Sequence, residues 1–270
     1  MKVIKVERFG SEYKITETKQ RNIKKKSEIE VPSDEVGRFE NNISRARARI
    51  FELARCNEWE YFCTLTLNPE FDRTDLSSWR KKFSQWLRDY RKKGFDVKYL
   101  LVPEQHQNGA WHMHGFFSGI APATPFNPSD IGGVDTDPTV AAYKAAELNS
   151  GGYLNWRDYS QKWGYCTLSE VKSIEAASRY ITKYVTKSLA MENLISGAHL
   201  FYASRGLNSA ELVAHNAIPV DERAFYSQLS DCKHFCNEFC EQWWVKNPEK
   251  IAPLVGILTG KVFEFTVSEK

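Results

Sequence analysis

The chain has 270 residues, 42% of them hydrophobic and 26% charged, with a formal net charge of +3. This balance excludes a disordered chain and leaves room for a sizeable core. No apolar run approaches a membrane span, and Met1-Lys-Val-Ile-Lys-Val-Glu-Arg-Phe-Gly10 lacks a signal-peptide core; six cysteines are too few for a secreted disulfide scaffold, so a cytosolic protein with reduced thiols is expected.

A charge of +3 does not by itself imply a nucleic-acid partner, but the basic residues are unevenly spread. Lys19 to Lys26 reads KQRNIKKK, and Trp79 to Lys93 reads WRKKFSQWLRDYRKK. Such clusters can neutralise phosphates, although a solvated face has the same appearance.

In chain order, the first 30 or so residues read as a basic arm or short hairpin. Val31-Pro-Ser-Asp34 supplies a break and an N-cap, after which Phe39, Ile43, Ala46, Ile50, Leu53 and Ala54 recur at helical spacing. Arg45, Arg47 and Arg49 decorate the rest of that helix and are candidate DNA contacts. Glu60 to Leu67 is rich in β-formers and stops at Asn68-Pro69. A helix capped by Ser77 follows, with Trp79, Phe83, Trp86 and Tyr90 as its core stripe; Arg80, Lys81 and Lys82 on the other side could meet a DNA backbone. Phe95–Val102 and Ala110–Ser118 read as strands around an Asn108-Gly109 turn, a strong hairpin signal.

Residues 119–163 form a long, proline-rich insertion with one short helix near Thr139 to Leu148. Gly164 to Val171 reads as a strand and Ser173 to Ala190 as a helix capped by Ser173. Beyond Met191 the chain mixes loop and helix and ends in a β-prone stretch, Gly260 to Ser268. Cys232, Cys236 and Cys240, four apart, predict a buried helical stripe.

Two stretches carry chemistry. In Pro103-Glu-Gln-His-Gln-Asn-Gly-Ala-Trp-His-Met-His-Gly115, His112 and His114 lie on one face of a strand. The predicted hairpin brings Glu104 near them, a donor set that suits Mg2+ or Mn2+ when a substrate adds phosphate oxygens, although zinc or iron would accept it. His106, next to the turn, would support a ligand from behind or face the DNA. In Arg179-Tyr-Ile-Thr-Lys-Tyr-Val-Thr-Lys187, Tyr180 and Tyr184 share a helix face, and each has a lysine, Lys183 or Lys187, three positions on. A phenol is a poor nucleophile at neutral pH unless cations or a base favour the phenolate. Taken singly, both stretches are compatible with structural roles.

Their order is specific. Phe62-Cys-Thr-Leu-Thr-Leu67, Trp111-His-Met-His-Gly-Phe116 and Tyr180-Ile-Thr-Lys-Tyr-Val-Thr-Lys187 resemble the three motifs of HUH rolling-circle replication initiators, the last in its two-tyrosine phage form. The resemblance spans roughly Tyr61 to Leu189, takes in Glu104 as the carboxylate ligand, and extends more weakly to Phe201-Tyr-Ala-Ser-Arg-Gly-Leu207. It implies an α+β fold with a central antiparallel sheet, RRM-like or ferredoxin-like, flanked by helices and extended by helical N- and C-terminal elements. The implied layout is a basic arm and helix over 1–59, a nuclease core over 60–190 and an extension over 191–270.

The resemblance further implies metal ligands Glu104, His112 and His114, catalytic Tyr180, Tyr184, Lys183 and Lys187, and Arg179 on the DNA. The implied activity is nicking of single-stranded origin DNA, with or without a hairpin, through a 5′-phosphotyrosine intermediate. Gly256-Ile-Leu-Thr-Gly-Lys-Val262 is one residue short of a phosphate-binding loop and lacks the Ser or Thr after its lysine, so no ATPase is expected; unwinding and synthesis would fall to a host helicase and polymerase. The rivals are a non-catalytic origin- or promoter-binding protein, and a relaxase or single-strand transposase. Relaxases often place the tyrosine before the histidines, whereas here it follows them.

Overall fold

The computed structural model describes residues 2–18, 35–131, 137–189, 199–218, 227, 229–237 and 240–260. The KQRNIKKK run, Val31-Pro-Ser-Asp34 and the stretch after Gly260 lie outside them. In chain order the elements are β1 (Lys2–Phe9), β2 (Glu12–Thr18), α1 (Glu35–Arg55), β3 (Tyr61–Thr66), α2 (Leu76–Lys92), β4 (Lys98–Gln105) and β5 (Trp111–Ser118). There follow α3 (Pro138–Ser150), α4 (Arg157–Ser160), β6 (Cys166–Glu170), α5 (Ile174–Leu189), β7 (Tyr202–Ala203), β8 (Glu211–Ile218), β9 (Lys233–Cys236), β10 (Cys240–Val245) and α6 (Ile251–Thr259). The fold is α+β, with two antiparallel five-stranded sheets among the described residues, and the chain divides into two compact units, Phe39–Leu207 and Met1–Arg38 with Asn208–Lys270.

The unit Phe39–Leu207 is built on a sheet in the order β6-β3-β5-β4-β7. Period-2 alternation sends Cys63, Leu65, Leu101, Met113 and Phe117 to one face, against Trp79, Phe83, Leu87 and Tyr90 of α2. Phe62, Leu100, Val102 and Phe116 go to the other, under Ile50, Leu53 and Ala54 of α1 and Ile181, Tyr184 and Val185 of α5. Each fully buried side chain of this size contributes about 1.5–3 kcal/mol relative to exposure.

Asp75, two residues before the expected Ser77, caps α2: its carboxylate accepts from the Ser78 N–H at 2.9 Å. Ser173 caps α5 as the sequence predicts, its hydroxyl accepting from the Ala176 N–H at 3.2 Å.

The β4–β5 hairpin turns at Asn108-Gly109, where Gly109 has φ +80° and the His106 N–H bonds the Ala110 carbonyl at 2.9 Å. Gly115 is required for a different reason. It stands between Cys63 and Leu101 in the ladder, and a Cβ there would lie 1.9 Å from the Leu100 carbonyl oxygen. The insertion after β5 is not wholly peripheral: Trp156, Tyr159 and Trp163 at its end are part of the α2-side core. Tyr202 and Ala203 add a short edge strand beside β4, and the Ser204 hydroxyl accepts from the Tyr99 N–H at 2.9 Å. This gives the Phe201–Leu207 segment a structural job.

The other unit is a sheet in the order β8-β1-β2-β10-β9. Gly10, at φ +61°, begins the tight turn from β1 to β2. Ile4, Val6, Tyr13, Ile15, Trp243 and Val245 face a core shared with Ile251, Leu254, Val255 and Leu258 of α6. The terminal segments therefore supply strands as well as helix. The expected cysteine stripe is corrected here: Cys236 ends β9 and Cys240 opens β10, so the spacing of four spans a hairpin rather than a helical turn. Gly256 lies inside α6, and Gly260, at φ +68°, caps it with its N–H on the Gly256 carbonyl at 2.8 Å.

Candidate active site

The site lies on the α5-covered face of the β6-β3-β5-β4-β7 sheet, at the end where its apolar residues give way to polar ones. Antiparallel register sets Thr66, His112 and Glu104 in one row across β3, β5 and β4, and Thr64, His114 and Val102 in the next. Residues directly opposite in a ladder point to the same face, so the two-residue spacing of Thr64/Thr66 and of His112/His114 brings all four side chains together.

The Thr66 hydroxyl is 2.9 Å from His112 Nδ1, and the Thr64 hydroxyl is 3.1 Å from His114 Nδ1. Each imidazole is thereby held by the neighbouring strand through the same nitrogen. His114 Nε2 lies 2.7 Å from Glu104 Oε2, and His106 Nε2 lies 3.9 Å from that same oxygen. Burial, then repulsion from His106 and His114, pushes the His112 pKa down to about 4, so its ring is neutral at physiological pH. Neutral imidazole is the form that binds a metal.

Four rings continue the arrangement. His106 stacks on His112 with centroids 3.9 Å apart, and His114 stacks on Tyr184 at 3.9 Å with 10° between planes. The Tyr184 hydroxyl donates to that of Tyr180 at 2.8 Å, and Tyr180 meets Phe62 edge-on at 5.5 Å. Spacing along α5 explains why two tyrosines reach one spot: four residues are just over one helical turn. They differ in accessibility, Tyr180 being 48% exposed and Tyr184 7%. Burial, reinforced by the hydrogen bond with Tyr180, pushes the Tyr184 phenol up. Lys183 Nζ lies 5.6 Å from the Tyr180 ring centroid. Lys187 is in the last turn of α5, and its side chain is outside the described residues.

The remaining candidates are dispersed. Arg179 pairs with Glu175 at 3.2 Å on α5. Arg45 and Arg47 are exposed on α1, and Arg49 pairs with Glu52 at 2.9 Å. Arg80, Lys81 and Lys82 are exposed on α2, which covers the opposite face of the sheet from the histidines, and the Arg80 guanidinium sits 5.5 Å from the Tyr202 ring.

Among the described residues no group of three or more His, Cys, Asp or Glu side chains stands in metal-coordinating geometry. The donor types nonetheless fit a divalent cation: two imidazoles oriented through Nδ1, with a carboxylate across the hairpin. Thr64 and Thr66 are the functional candidates to which the motif reading assigned no role. Their signal is the Thr-Leu-Thr alternation, which matches the His-Met-His alternation on the neighbouring strand. No helix among the described residues is long and apolar enough to cross a membrane.

No curated protein and no solved structure shows significant similarity to the chain. Residues 60–189, the stretch that holds Glu104, both histidines and both tyrosines, match the family of replication-associated proteins that takes its name from ORF2, and this similarity supports a replication initiator of the Rep type.

Proposed function

We propose that the chain initiates rolling-circle replication by nicking single-stranded origin DNA and staying attached through a 5′-phosphotyrosine bond. The observation that carries this reading is Tyr184 stacked on His114 with its hydroxyl 2.8 Å from that of Tyr180. Two candidate nucleophiles thus stand beside a two-histidine, one-carboxylate donor set, within a segment similar to replication-associated proteins.

In the cleavage step a tyrosine oxygen bonds to phosphorus in line with the P–O3′ bond, which breaks. The phenol gives up its proton and the departing 3′ oxygen takes one up, leaving a 3′-hydroxyl for a host polymerase. Strand transfer runs the same bonds in reverse, and the second tyrosine allows a new nick while the first still holds a DNA end. Glu104, His112 and His114 would hold Mg2+ or Mn2+, which when bound offsets negative charge on the scissile phosphate. Lys183 and Lys187 would favour the phenolate and bind phosphate. Arg179, Arg45, Arg47 and Arg49 would hold the DNA backbone, and a host helicase would unwind the duplex.

The test is incubation of the folded protein with Mn2+ and a 3′-labelled, random-sequence single-stranded DNA pool, followed by denaturing electrophoresis. A labelled band at the protein's position that disappears in the Tyr180→Phe/Tyr184→Phe double variant is expected. DNA binding with no covalent band would reject nicking in favour of a non-catalytic DNA-binding protein.

A further inference from the structure

Between α5 and the outer strand β6, a cleft of roughly 610 Å3 opens beside the tyrosines. Register pairs Phe62 with Ser169 and Thr64 with Thr167, so these four side chains form its floor on the α5-covered face of the sheet. The other wall comes from α5, where Ala176 and Tyr180 are exposed. Lys172 and Lys183, both exposed, stand among its lining residues, as does Tyr153, which is 43% exposed.

We infer that this cleft is a nucleobase pocket, and that it takes the base of the nucleotide next to the scissile phosphate in single-stranded DNA. The inference rests on the nicking reading for the position of that phosphate. Four observations favour a base. The volume lies within the range of pockets that enclose small ligands. The Phe62 and Tyr180 rings offer π surface to a base that has left its stack. Thr167 and Ser169 supply hydroxyls that can donate to or accept from a base edge, and no carboxylate stands among the floor residues. Lysines at the lining suit the phosphates on either side of a bound base, whereas duplex DNA could not place a single base so deep.

The pocket begins where the chemistry ends, since Tyr180 and Tyr184 belong to both. A base seated between Phe62, Ser169 and α5 holds its own phosphate near the two hydroxyls. Ser169 and Thr167 are therefore specificity-determining residues for the nucleotide adjoining the nick, and occupancy of the pocket sets the register of cleavage.

Two arms test this separately from nicking. In the first, affinity for a random single-stranded DNA pool is measured by fluorescence anisotropy for wild type and Ala176→Trp, which fills the cleft from an exposed helix position; circular dichroism verifies the fold. A loss of between about fivefold and a hundredfold is expected, the worth of one stacked base. Unchanged affinity in the folded variant overturns the pocket, whether or not the protein cuts DNA. In the second, covalent adducts formed with Mn2+ are sequenced. Ser169→Ala and Thr167→Val should relax the base preference at one position beside the cut and leave the other positions alone. Wild-type preference retained at every position in both variants overturns the specificity role. Absence of adducts from the wild-type protein rejects nicking, and the anisotropy arm then decides the pocket alone.

Discussion

The Tyr184 ring lies flat on His114 at 3.9 Å while its hydroxyl donates a 2.8 Å hydrogen bond to the Tyr180 oxygen. The two phenols are thus presented at one place but in different settings: Tyr184 is packed against the imidazole, and Tyr180 is half exposed beside Lys183.

This asymmetry predicts a division of labour. Tyr180 can be reached by an incoming strand without rearrangement, so Tyr180→Phe should lower first-adduct formation by about a hundredfold or more, the scale expected for loss of a nucleophile. Tyr184→Phe should retain the adduct on Tyr180, with a rate loss of about tenfold, and should lose the second cleavage that completes strand transfer. Peptide mapping of the DNA-linked tyrosine checks this; first adducts found mainly on Tyr184 would reverse the assignment.

The threonines make a prediction about metal affinity. When a cation takes Nε2, the proton on each ring moves to Nδ1 and must be donated to Thr64 or Thr66, which fixes tautomer and ring orientation. Thr64→Val and Thr66→Val should each weaken Mn2+ binding by about 10–100-fold, the usual cost of losing such a partner. Serine at the same positions keeps the hydroxyl and should restore most of the affinity. Electron paramagnetic resonance titration of free Mn2+ measures both, and equal affinity in Val and Ser variants would show that the hydroxyls matter only for packing.

Most of the site-bearing strands were legible because period-2 patterning and the Asn108-Gly109 turn are local signals. Glu104, His112 and His114 could be brought together from sequence because a hairpin fixes register over a few residues. The contacts from Thr64 and Thr66 were not legible, because β3 pairs with β5 across some fifty intervening residues that carry α2 and β4. The terminal sheet was missed for the same reason. In β1, Ile4 and Val6 alternate with Lys5 and Glu7, but β8 and β10, which complete its sheet, lie more than 190 residues away. The cysteine spacing misled because four residues also suit a hairpin that joins Cys236 to Cys240.

The glycine after the histidine pair predicts a structural effect distinct from chemistry. Gly115→Ala would drive a methyl into the Leu100 carbonyl on the adjacent strand, and backbone of a central ladder cannot step aside as a side-chain tip can. The expected cost is about 3 kcal/mol or more, at or above the usual range for overpacking. Thermal or urea denaturation should show a clear loss of midpoint, with DNA binding and Mn2+ binding falling together. A folded Gly115→Ala protein that lost only cleavage would instead implicate the position in the reaction.

The basic face of α2 predicts how affinity and turnover separate. Arg80, Lys81 and Lys82 lie across the sheet from His112 and His114, so any phosphate they neutralise is remote from the reacting one. Neutralising a phosphate releases a counterion and shows up in the salt dependence of binding. Arg80→Gln/Lys81→Gln/Lys82→Gln should therefore weaken single-stranded DNA binding and flatten its dependence on salt, by about 0.7 in log–log slope for each phosphate that is no longer neutralised. At saturating DNA the single-turnover adduct rate should stay within about twofold of wild type, because the metal donors and tyrosines are untouched. Lys183→Gln, beside Tyr180, should do the opposite and lower the saturated rate more than the affinity. A large rate loss in the α2 triple variant would mean that the strand wraps both faces of the sheet and is held in register from behind.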